Sequence, residues 1–287
     1  MTKAFRIAHI DLVLNEQHFL FPGLTPFEID PQEANNPIEV SYDAATPQAD
    51  ASAKLLDTFD FPDAGAICRL YKLTDGHLFT MSREEVEPCT FHIPTSGPVR
   101  CNFASGDDRS LMRFGLWIVF NLRASARGAL AIHSSVLIHR EAAVLCLGES
   151  GTGKSTHTRL WREHIPGTEL LNDDSPILAL VDGQVRIFGS PWSGKTPCYR
   201  NLDYPIQGFL RLSQAPENRI TKLSTLRGYG SLQPSMPPSF SYDAALFERV
   251  NALLSATLSQ CPVYHLACLP NSEAAELACQ TLYGTAE

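Results

Sequence analysis

Short segments of continuous or alternating apolar residues recur through the first hundred residues of the chain. Residues 66–73 and 78–82 flank an Asp-Gly pair, which is the pattern of a β-hairpin. Residues 7–14 are mostly apolar and predict a single strand. Further short strands are predicted at 38–42, 89–93 and 99–103. We therefore predict a β-rich N-terminal domain over residues 1–105, in which no chemical motif indicates a role.

After residue 105 the pattern changes to alternating helices and strands. Asp107 or Asp108 is placed to cap an amphipathic helix that ends near Ala126, and Gly128 is typical of the position after a helix. Three later helices are predicted: one that ends near His164, one over 243–258 and one over 272–282. Later strands are predicted at 129–138, 142–147, 169–171, 177–181, 184–188, 208–212 and 263–267. Three prolines in residues 234–239 predict a mobile loop. The second predicted domain, residues 106–287, is therefore of the α/β class.

Composition and charge argue against several classes of protein. The net charge of −8 disfavours a nucleic-acid surface, because such surfaces neutralise phosphates with Lys and Arg. No apolar segment reaches the roughly 20 residues that span a bilayer, and the N-terminus lacks the apolar core of a signal peptide. None of the eight cysteines forms a Cys-x-x-Cys pair, which disfavours a zinc site. We expect a cytoplasmic protein without a nucleic-acid or membrane partner.

The strongest motif follows the predicted strand 142–147. Residues 148–155, which we call the glycine-rich loop, read Gly148, Glu149, Ser150, Gly151, Thr152, Gly153, Lys154 and Ser155, and Thr156 follows in a predicted helix. Glycines let backbone N–H groups face a phosphate, and the helix N-terminus adds positive potential. In such a Walker A loop the lysine reaches the β- and γ-phosphates and the serine hydroxyl suits Mg²⁺. The motif predicts ATP binding with Mg²⁺, whereas the alternative is a glycine-rich turn that binds no nucleotide.

A second motif is an apolar strand that ends in two acids, Asp173 and Asp174, which we call the acid pair. This strand is predicted to lie beside strand 142–147, so that its carboxylates face the triphosphate. One carboxylate can hold Mg²⁺ and the other can accept the proton of an attacking hydroxyl. The alternative is a solvated turn before Pro176.

Residues 189–196, which we call the second glycine loop, repeat the letters of the phosphate-loop pattern and are followed by Arg200. Pro191 removes a backbone N–H from such a cradle, Trp192 crowds it, and no amphipathic helix follows. We therefore interpret only the first copy as a nucleotide loop. Two hypotheses stay open for the second: it closes over phosphates or holds the acceptor through Lys195 and Arg200, or it is a surface loop with Trp192 packed inward.

The order and spacing of His133, residues 148–156 and the acid pair resemble the C-terminal domain of HPr kinase/phosphorylase. Alone, a strand histidine such as His133 is more often structural than catalytic. The nucleotide core of the ATP-dependent phosphoenolpyruvate carboxykinases is similar more distantly. The resemblance covers residues 128–270 and implies a P-loop core that binds ATP and Mg²⁺. It also implies transfer of the γ-phosphoryl group to a serine-like hydroxyl.

By position, the resemblance implies that Asp173 is the catalytic acid/base, that Asp174 and Ser155 lie near the metal, and that His133 and Lys154 belong to the site. The Leu-Glu-x-Arg-Gly stretch of the bifunctional enzymes is absent. We therefore expect an acceptor other than HPr, namely a hydroxyl-bearing small molecule, peptide or protein. The alternative is an ATP-binding regulatory or partner protein with little or no phosphotransfer, and a carboxykinase ranks third. Homo-oligomers are common in this family, and nothing in the sequence requires one.

Overall fold

The computed structural model describes residues 2–104, 108–149, 151–194 and 196–284. Its fold is mixed α/β, with two large mixed sheets. The chain forms two compact units: one holds the residues up to Arg127 together with 239–249, and the other holds 128–238 and the residues from Val250 onward. The division after Arg127 lies beyond the 105/106 boundary of the sequence analysis, because the first helix belongs to the first unit.

A nine-stranded sheet forms most of the first unit, and its strand order is β3-β1-β2-β4-β9-β8-β7-β6-β5. The strands are β1 (Lys3–Ile7), β2 (Ile10–Leu14), β3 (Glu28–Ile29), β4 (Ile38–Tyr42), β5 (Lys54–Phe61), β6 (Ala66–Lys72), β7 (Gly76–Arg83), β8 (Val86–Pro94) and β9 (Val99–Cys101). Helix α1 (Arg109–Ala124) is capped by Asp108, whose carboxylate accepts a hydrogen bond from the Ser110 N–H. The cap at Asp108 is one of the two that the sequence predicts.

The remaining elements lie mainly in the second unit. They are β10 (Ala129–Ala131), β11 (Ser134–His139), β12 (Ala142–Leu147), α2 (Lys154–His164), β13 (Glu169–Asp174), β14 (Ile177–Val181), β15 (Gln184–Phe188), β16 (Asp203–Gln214), β17 (Arg219–Lys222), α3 (Thr225–Leu232), α4 (Ala244–Gln260), β18 (Val263–Cys268) and α5 (Ser272–Tyr283). The sheet order is β10-β14-β15-β16-β12-β11-β13, and β18 pairs with β16 and β17. No helix in the described part of the chain is both long and apolar enough to cross a bilayer.

Helices α2 and α5 cover one face of this second sheet. Their buried side chains, among them Trp161 of α2 and Leu282 of α5, pack on Leu137, Val144, Leu210 and other strand residues. Apolar residues at every second strand position supply this face, as expected when one side of a sheet is covered by helices. The packing fixes the start of α2 at the end of β12, which is where the glycine-rich loop lies.

The neighbour predicted for the acid-pair strand is wrong. Strand β13 does not lie beside β12, because β11 is inserted between them and pairs antiparallel with both. Two strands that are antiparallel to a common neighbour point the same way. The carboxyl ends of β12 and β13 therefore still reach the same edge of the sheet.

Two predicted strands are interrupted. Residues 7–14 form the hairpin β1–β2, since Ala8 and His9 adopt left-handed conformations with φ of 49° and 62°. The predicted strand 129–138 is divided into β10 and β11, because the Ile132 N–H donates to the Pro176 carbonyl and the His133 N–H to the Ser235 carbonyl. Residues 234–239 are therefore not a freely solvated loop, because Ser235 and Ser239 are buried and the Ser235 carbonyl accepts the hydrogen bond from His133.

Candidate functional site

Three strand ends meet at one edge of the second sheet. The glycine-rich loop leaves the carboxyl end of β12, the acid pair closes β13, and β11 begins at the same edge. In the strand register, Ser134 lies opposite Asp174 and Ser135 lies opposite Asp173. Antiparallel pairing through β11 thus brings together groups that are about forty residues apart in the chain. This edge is the candidate site.

Backbone geometry explains the glycines of the loop. Gly151 and Gly153 have φ of 82° and 103°, which side chains disfavour. A Cβ atom on Gly148 would lie 2.3 Å from the Thr152 Oγ1, which itself donates to the Glu149 carbonyl. The loop is therefore a tight turn that only glycine permits at these positions. Ser150 lies outside the described residues.

Helix α2 begins at Lys154, within the last residues of the glycine-rich loop, and Gly153 occupies its cap position. The first N–H groups of an α-helix have no partner inside the helix, so Lys154, Ser155 and Thr156 present backbone donors and positive potential at the loop. The Ser155 side chain is exposed. This end of the helix can attract an anion, and the serine hydroxyl is open to a ligand.

The buried side of α2 is anchored by a histidine. Trp161 Nε1 donates to His157 Nε2 at 3.0 Å, and both side chains are buried. Burial lowers the pKa of His157 to about 4, so the imidazole is neutral at neutral pH. His157 therefore serves the packing of the helix and does not face the loop as a charged group.

Lys154 folds back over the loop. Its ammonium donates to the Gly148 carbonyl at 2.6 Å and to the Glu149 carbonyl at 3.3 Å. Burial lowers the pKa of Lys154 from its ordinary value, while the charges of Asp174 and Asp173 act in the opposite direction. A cation is thus held at the centre of the loop, within the electrostatic reach of both acids.

His133 links this lysine to the acid pair. Lys154 Nζ lies 3.1 Å from His133 Nε2, and His133 Nδ1 lies 3.1 Å from Asp174 Oδ1. An ammonium can only donate, so Nε2 accepts and the ring proton sits on Nδ1, from where it is donated to Asp174. The break between β10 and β11 frees His133 for this position. The histidine therefore lies between the loop lysine and the acid pair.

The two neighbouring carboxylates differ in their surroundings. Asp173 is buried and accepts a short hydrogen bond from the Ser135 hydroxyl. The Asp174 side chain is 44% exposed, and its φ of 118° is rare for a residue with a side chain. That conformation turns Asp174 away from the strand pattern and towards His133. One acid is thus enclosed and fixed, and the other is open to solvent.

The second glycine loop lies against the acid pair. The Gly194 N–H and the Ser193 hydroxyl both donate to the Asp173 carbonyl, at 2.5 and 3.1 Å. Trp192 is packed inward with 3% exposure, and no helix follows within residues 196–202. Features of both open hypotheses are therefore present, since the tryptophan is buried and the loop borders the acids. Lys195 lies outside the described residues.

Arg200 is not part of this edge. Its guanidinium pairs with Glu169 at 2.6 Å and donates to the Leu170 carbonyl at 3.0 Å. Both partners lie at the start of β13, whereas the acid pair lies at its end. The contacts of Arg200 fix the return of the chain after the second glycine loop.

Three residues at the site were not identified from the sequence. Asn172 donates from Nδ2 to the Trp192 carbonyl at 3.1 Å and accepts from the Ser175 N–H, so it holds the second glycine loop to β13. Ser135 binds Asp173, and Arg211 on β16 approaches Glu149. Asn172 could have been identified from the sequence, because it directly precedes the acid pair. Ser135 and Arg211 reach the site through strand register, which the sequence does not show.

The oxygen donors of the site fit a nucleotide-bound magnesium ion. Within the described ranges, no group of three or more His, Cys, Asp and Glu side chains is arranged to hold a metal ion. Mg²⁺ at phosphate sites is ordinarily held by one or two protein groups together with phosphate oxygens. The exposed Ser155 hydroxyl and the open Asp174 carboxylate are such groups.

Comparison with known proteins adds no assignment. No model of a known protein family matches the chain, and no curated protein sequence matches it.

Proposed function

We propose that the chain is an ATP-dependent phosphotransferase with a P-loop core, which transfers the γ-phosphoryl group to a hydroxyl acceptor. The observation that carries this proposal is the convergence of Lys154, His133 and the acid pair on a glycine-rich loop at one sheet edge. One carboxylate beside such a loop is enough to help hold Mg²⁺, whereas this edge carries two, Asp173 and Asp174. The second carboxylate can serve as the base that accepts the proton of an acceptor hydroxyl.

The donor half of the site is the loop and the start of α2. Bound Mg²⁺ would neutralise phosphate charge, and Ser155 and Asp174 are the groups that would hold it. Lys154 would exchange the Gly148 and Glu149 carbonyls for phosphate oxygens, since its ammonium already lies inside the loop. His133 would keep Asp174 oriented through Nδ1 during this exchange.

The acceptor half is Asp173 and the second glycine loop. Ser135 donates to one oxygen of Asp173, so the carboxylate is held in a fixed orientation and its remaining lone pairs can accept a hydroxyl proton. The Gly194 N–H and the Ser193 hydroxyl hold the backbone of Asp173 from the other side. A base in a fixed orientation helps to position the acceptor hydroxyl for reaction. Such positioning, together with charge stabilisation, is the main contribution of the protein to phosphoryl transfer.

One observation favours a second candidate, an ATP-binding regulatory or partner protein that transfers no phosphoryl group. Asp173 is only 7% exposed, and Ser135 already occupies one of its oxygens. A base that an acceptor cannot reach would leave a binding site without transfer. The two candidates differ in what becomes of the γ-phosphate.

Incubation with γ-labelled ATP, Mg²⁺ and a fractionated lysate of the host distinguishes them. We expect the wild-type protein to move label to a discrete acceptor. Asp173→Asn should stop the transfer while ATP binding changes little, because the amide keeps the shape and removes the base. Asp182→Asn is the matched control, since Asp182 is exposed in the β14–β15 turn at φ 50°, a conformation that Asn also tolerates. Transfer at the wild-type rate by Asp173→Asn would refute the role of the acid, and label that reaches only water would favour the second candidate.

A further inference from the structure

Arg211 stands beside the glycine-rich loop on a strand that the motifs do not include. Strand β16 runs parallel to β12, and Arg211 pairs in register with Leu147, the residue before Gly148. Carboxyl ends of neighbouring parallel strands share one edge of a sheet, so Arg211 lies at the level where the loop begins. From this position the side chain can reach a ligand of the loop.

The direction of the Arg211 side chain follows from its neighbours. Leu210 and Leu212 are buried in the cluster beneath α2 and α5. Successive strand residues point to opposite faces, so Arg211 leaves from the face that these helices do not cover. The long side chain is 24% exposed and therefore keeps an open path to solvent.

The partner of Arg211 is weakly held. Nη2 of Arg211 lies 3.6 Å from Oε1 of Glu149, which is longer than a hydrogen bond, and the Glu149 side chain is 85% exposed. Exposed ion pairs of this kind contribute little and exchange readily. The guanidinium thus retains donors, and its present partner is easily displaced by a stronger anion.

Two cations approach the same segment of the loop. Lys154 donates to the carbonyls of Gly148 and Glu149 from inside, and Arg211 meets the Glu149 side chain from outside. Burial is the main cause that lowers the pKa of Lys154, and the positive charge of Arg211 adds to it. The two positive charges repel each other, and an anionic ligand of the loop would relieve this repulsion. The lysine of such a loop serves the β- and γ-phosphates.

We propose that Arg211 binds a β- or γ-phosphate oxygen of the nucleotide, with Glu149 as the counter-ion that it leaves on binding. This inference rests on the proposed function, because it needs the loop to bind a triphosphate. A planar guanidinium matches two phosphate oxygens at once, which an ammonium does not. Arg211 therefore supplies affinity for the terminal phosphates in addition to Lys154.

The test compares affinities for ATP and AMP in the presence of Mg²⁺, by titration calorimetry. Arg211→Ala should weaken ATP binding about 10- to 100-fold, the range of a lost charged hydrogen bond, and should leave AMP binding within about twofold. Arg211→Lys keeps the positive charge but lacks the planar guanidinium, so its affinity for ATP should lie between those of the wild-type protein and Arg211→Ala. Arg159→Ala is the matched control, because Arg159 is exposed on α2 and its ion pair within the described residues is with Glu163 at 2.9 Å.

Unfolding temperatures of all variants show whether a loss of binding reflects a loss of folding. If Arg211→Ala unfolds early, Arg211→Lys decides the question, since it keeps the aliphatic stem. Wild-type affinity for ATP in the folded Arg211→Ala protein would overturn the inference and leave the proposed function intact. Equal losses for ATP and AMP would also overturn it, because they would mean a general distortion. A wild-type protein that binds neither nucleotide would overturn the proposed function itself.

Discussion

A single methyl group at Gly148 should disable the glycine-rich loop. An added Cβ would lie 2.3 Å from the Thr152 Oγ1 and 3.1 Å from its Cβ. Rotation of the Thr152 side chain would break the hydrogen bond of its hydroxyl to the Glu149 carbonyl at 2.5 Å and would leave its Cβ at 3.1 Å from the added atom. Gly148→Ala must therefore break this hydrogen bond or shift the loop backbone.

The size of the effect follows from the clash. Overpacking of this kind costs about 1–3 kcal/mol. If that energy is needed to restore the binding geometry, affinity for ATP falls about 5- to 150-fold. Thr152→Ala removes the oxygen at 2.3 Å and leaves the carbon at 3.1 Å, so Gly148→Ala/Thr152→Ala should recover part of the loss.

Titration of ATP with Mg²⁺ into each variant measures the order of affinities. We expect wild type first, then Thr152→Ala, then the double variant, and Gly148→Ala last. Gly167→Ala is the control, because Gly167 has φ of 75° and no atom within 4 Å of the added Cβ, so it costs stability without touching the loop. Wild-type affinity in Gly148→Ala, or a double variant no better than the single one, would refute the reasoning.

Three further predictions concern the surroundings of the site. The pKa of His157 is about 4 in the folded protein, below the value near 6.5 in an unfolded chain. As the pH drops, the unfolded chain therefore takes up the proton first. The free energy of unfolding should fall between about pH 6.5 and pH 4. Unfolding in urea across this range should show a loss of up to about 3 kcal/mol that His157→Gln lacks, and parallel curves would contradict it. Arg200→Ala should leave the affinity for ATP unchanged because its partners lie at the start of β13, and a tenfold loss by titration would place it in the site after all. Ser135→Ala leaves a buried carboxylate short of a donor, so urea unfolding should show a loss of about 1–3 kcal/mol, and an unchanged midpoint would mean that the contact with Asp173 is dispensable.

Local chemistry made the loop and its surroundings predictable. The glycines at 148, 151 and 153 have positive φ angles, and helix α2 begins at Lys154 within the motif. The β14–β15 hairpin across Asp182 and Gly183 has the predicted bounds, because a two-residue turn fixes the register of both strands. Features that are decided within a few residues could be read from the sequence.

Features that depend on distant partners could not be predicted. The insertion of β11 between β12 and β13 is a matter of sheet order, and the break before His133 depends on carbonyls of Pro176 and Ser235. Helix α3 contains Gly228 and Gly230, which disfavour a helix. It forms nonetheless because Gly228 lets it pack closely, since a Cβ there would lie 2.9 Å from Leu258 Cδ2. The positions of Ser135 and Arg211 at the site could not be predicted either, because each depends on the register of its strand with a neighbouring strand.

The most direct test of the central claim, that this sheet edge binds a triphosphate, is calorimetric titration of ATP with Mg²⁺ into the wild-type protein and into Lys154→Ala. Lys154 is the one ammonium whose described contacts place it inside the loop. We predict saturable binding of one ATP per chain by the wild-type protein. We also predict at least a tenfold loss in the folded variant, since a charged hydrogen bond contributes about 1.5–3 kcal/mol. No binding by the wild-type protein at millimolar ATP, or equal affinities of the two proteins, would contradict the account.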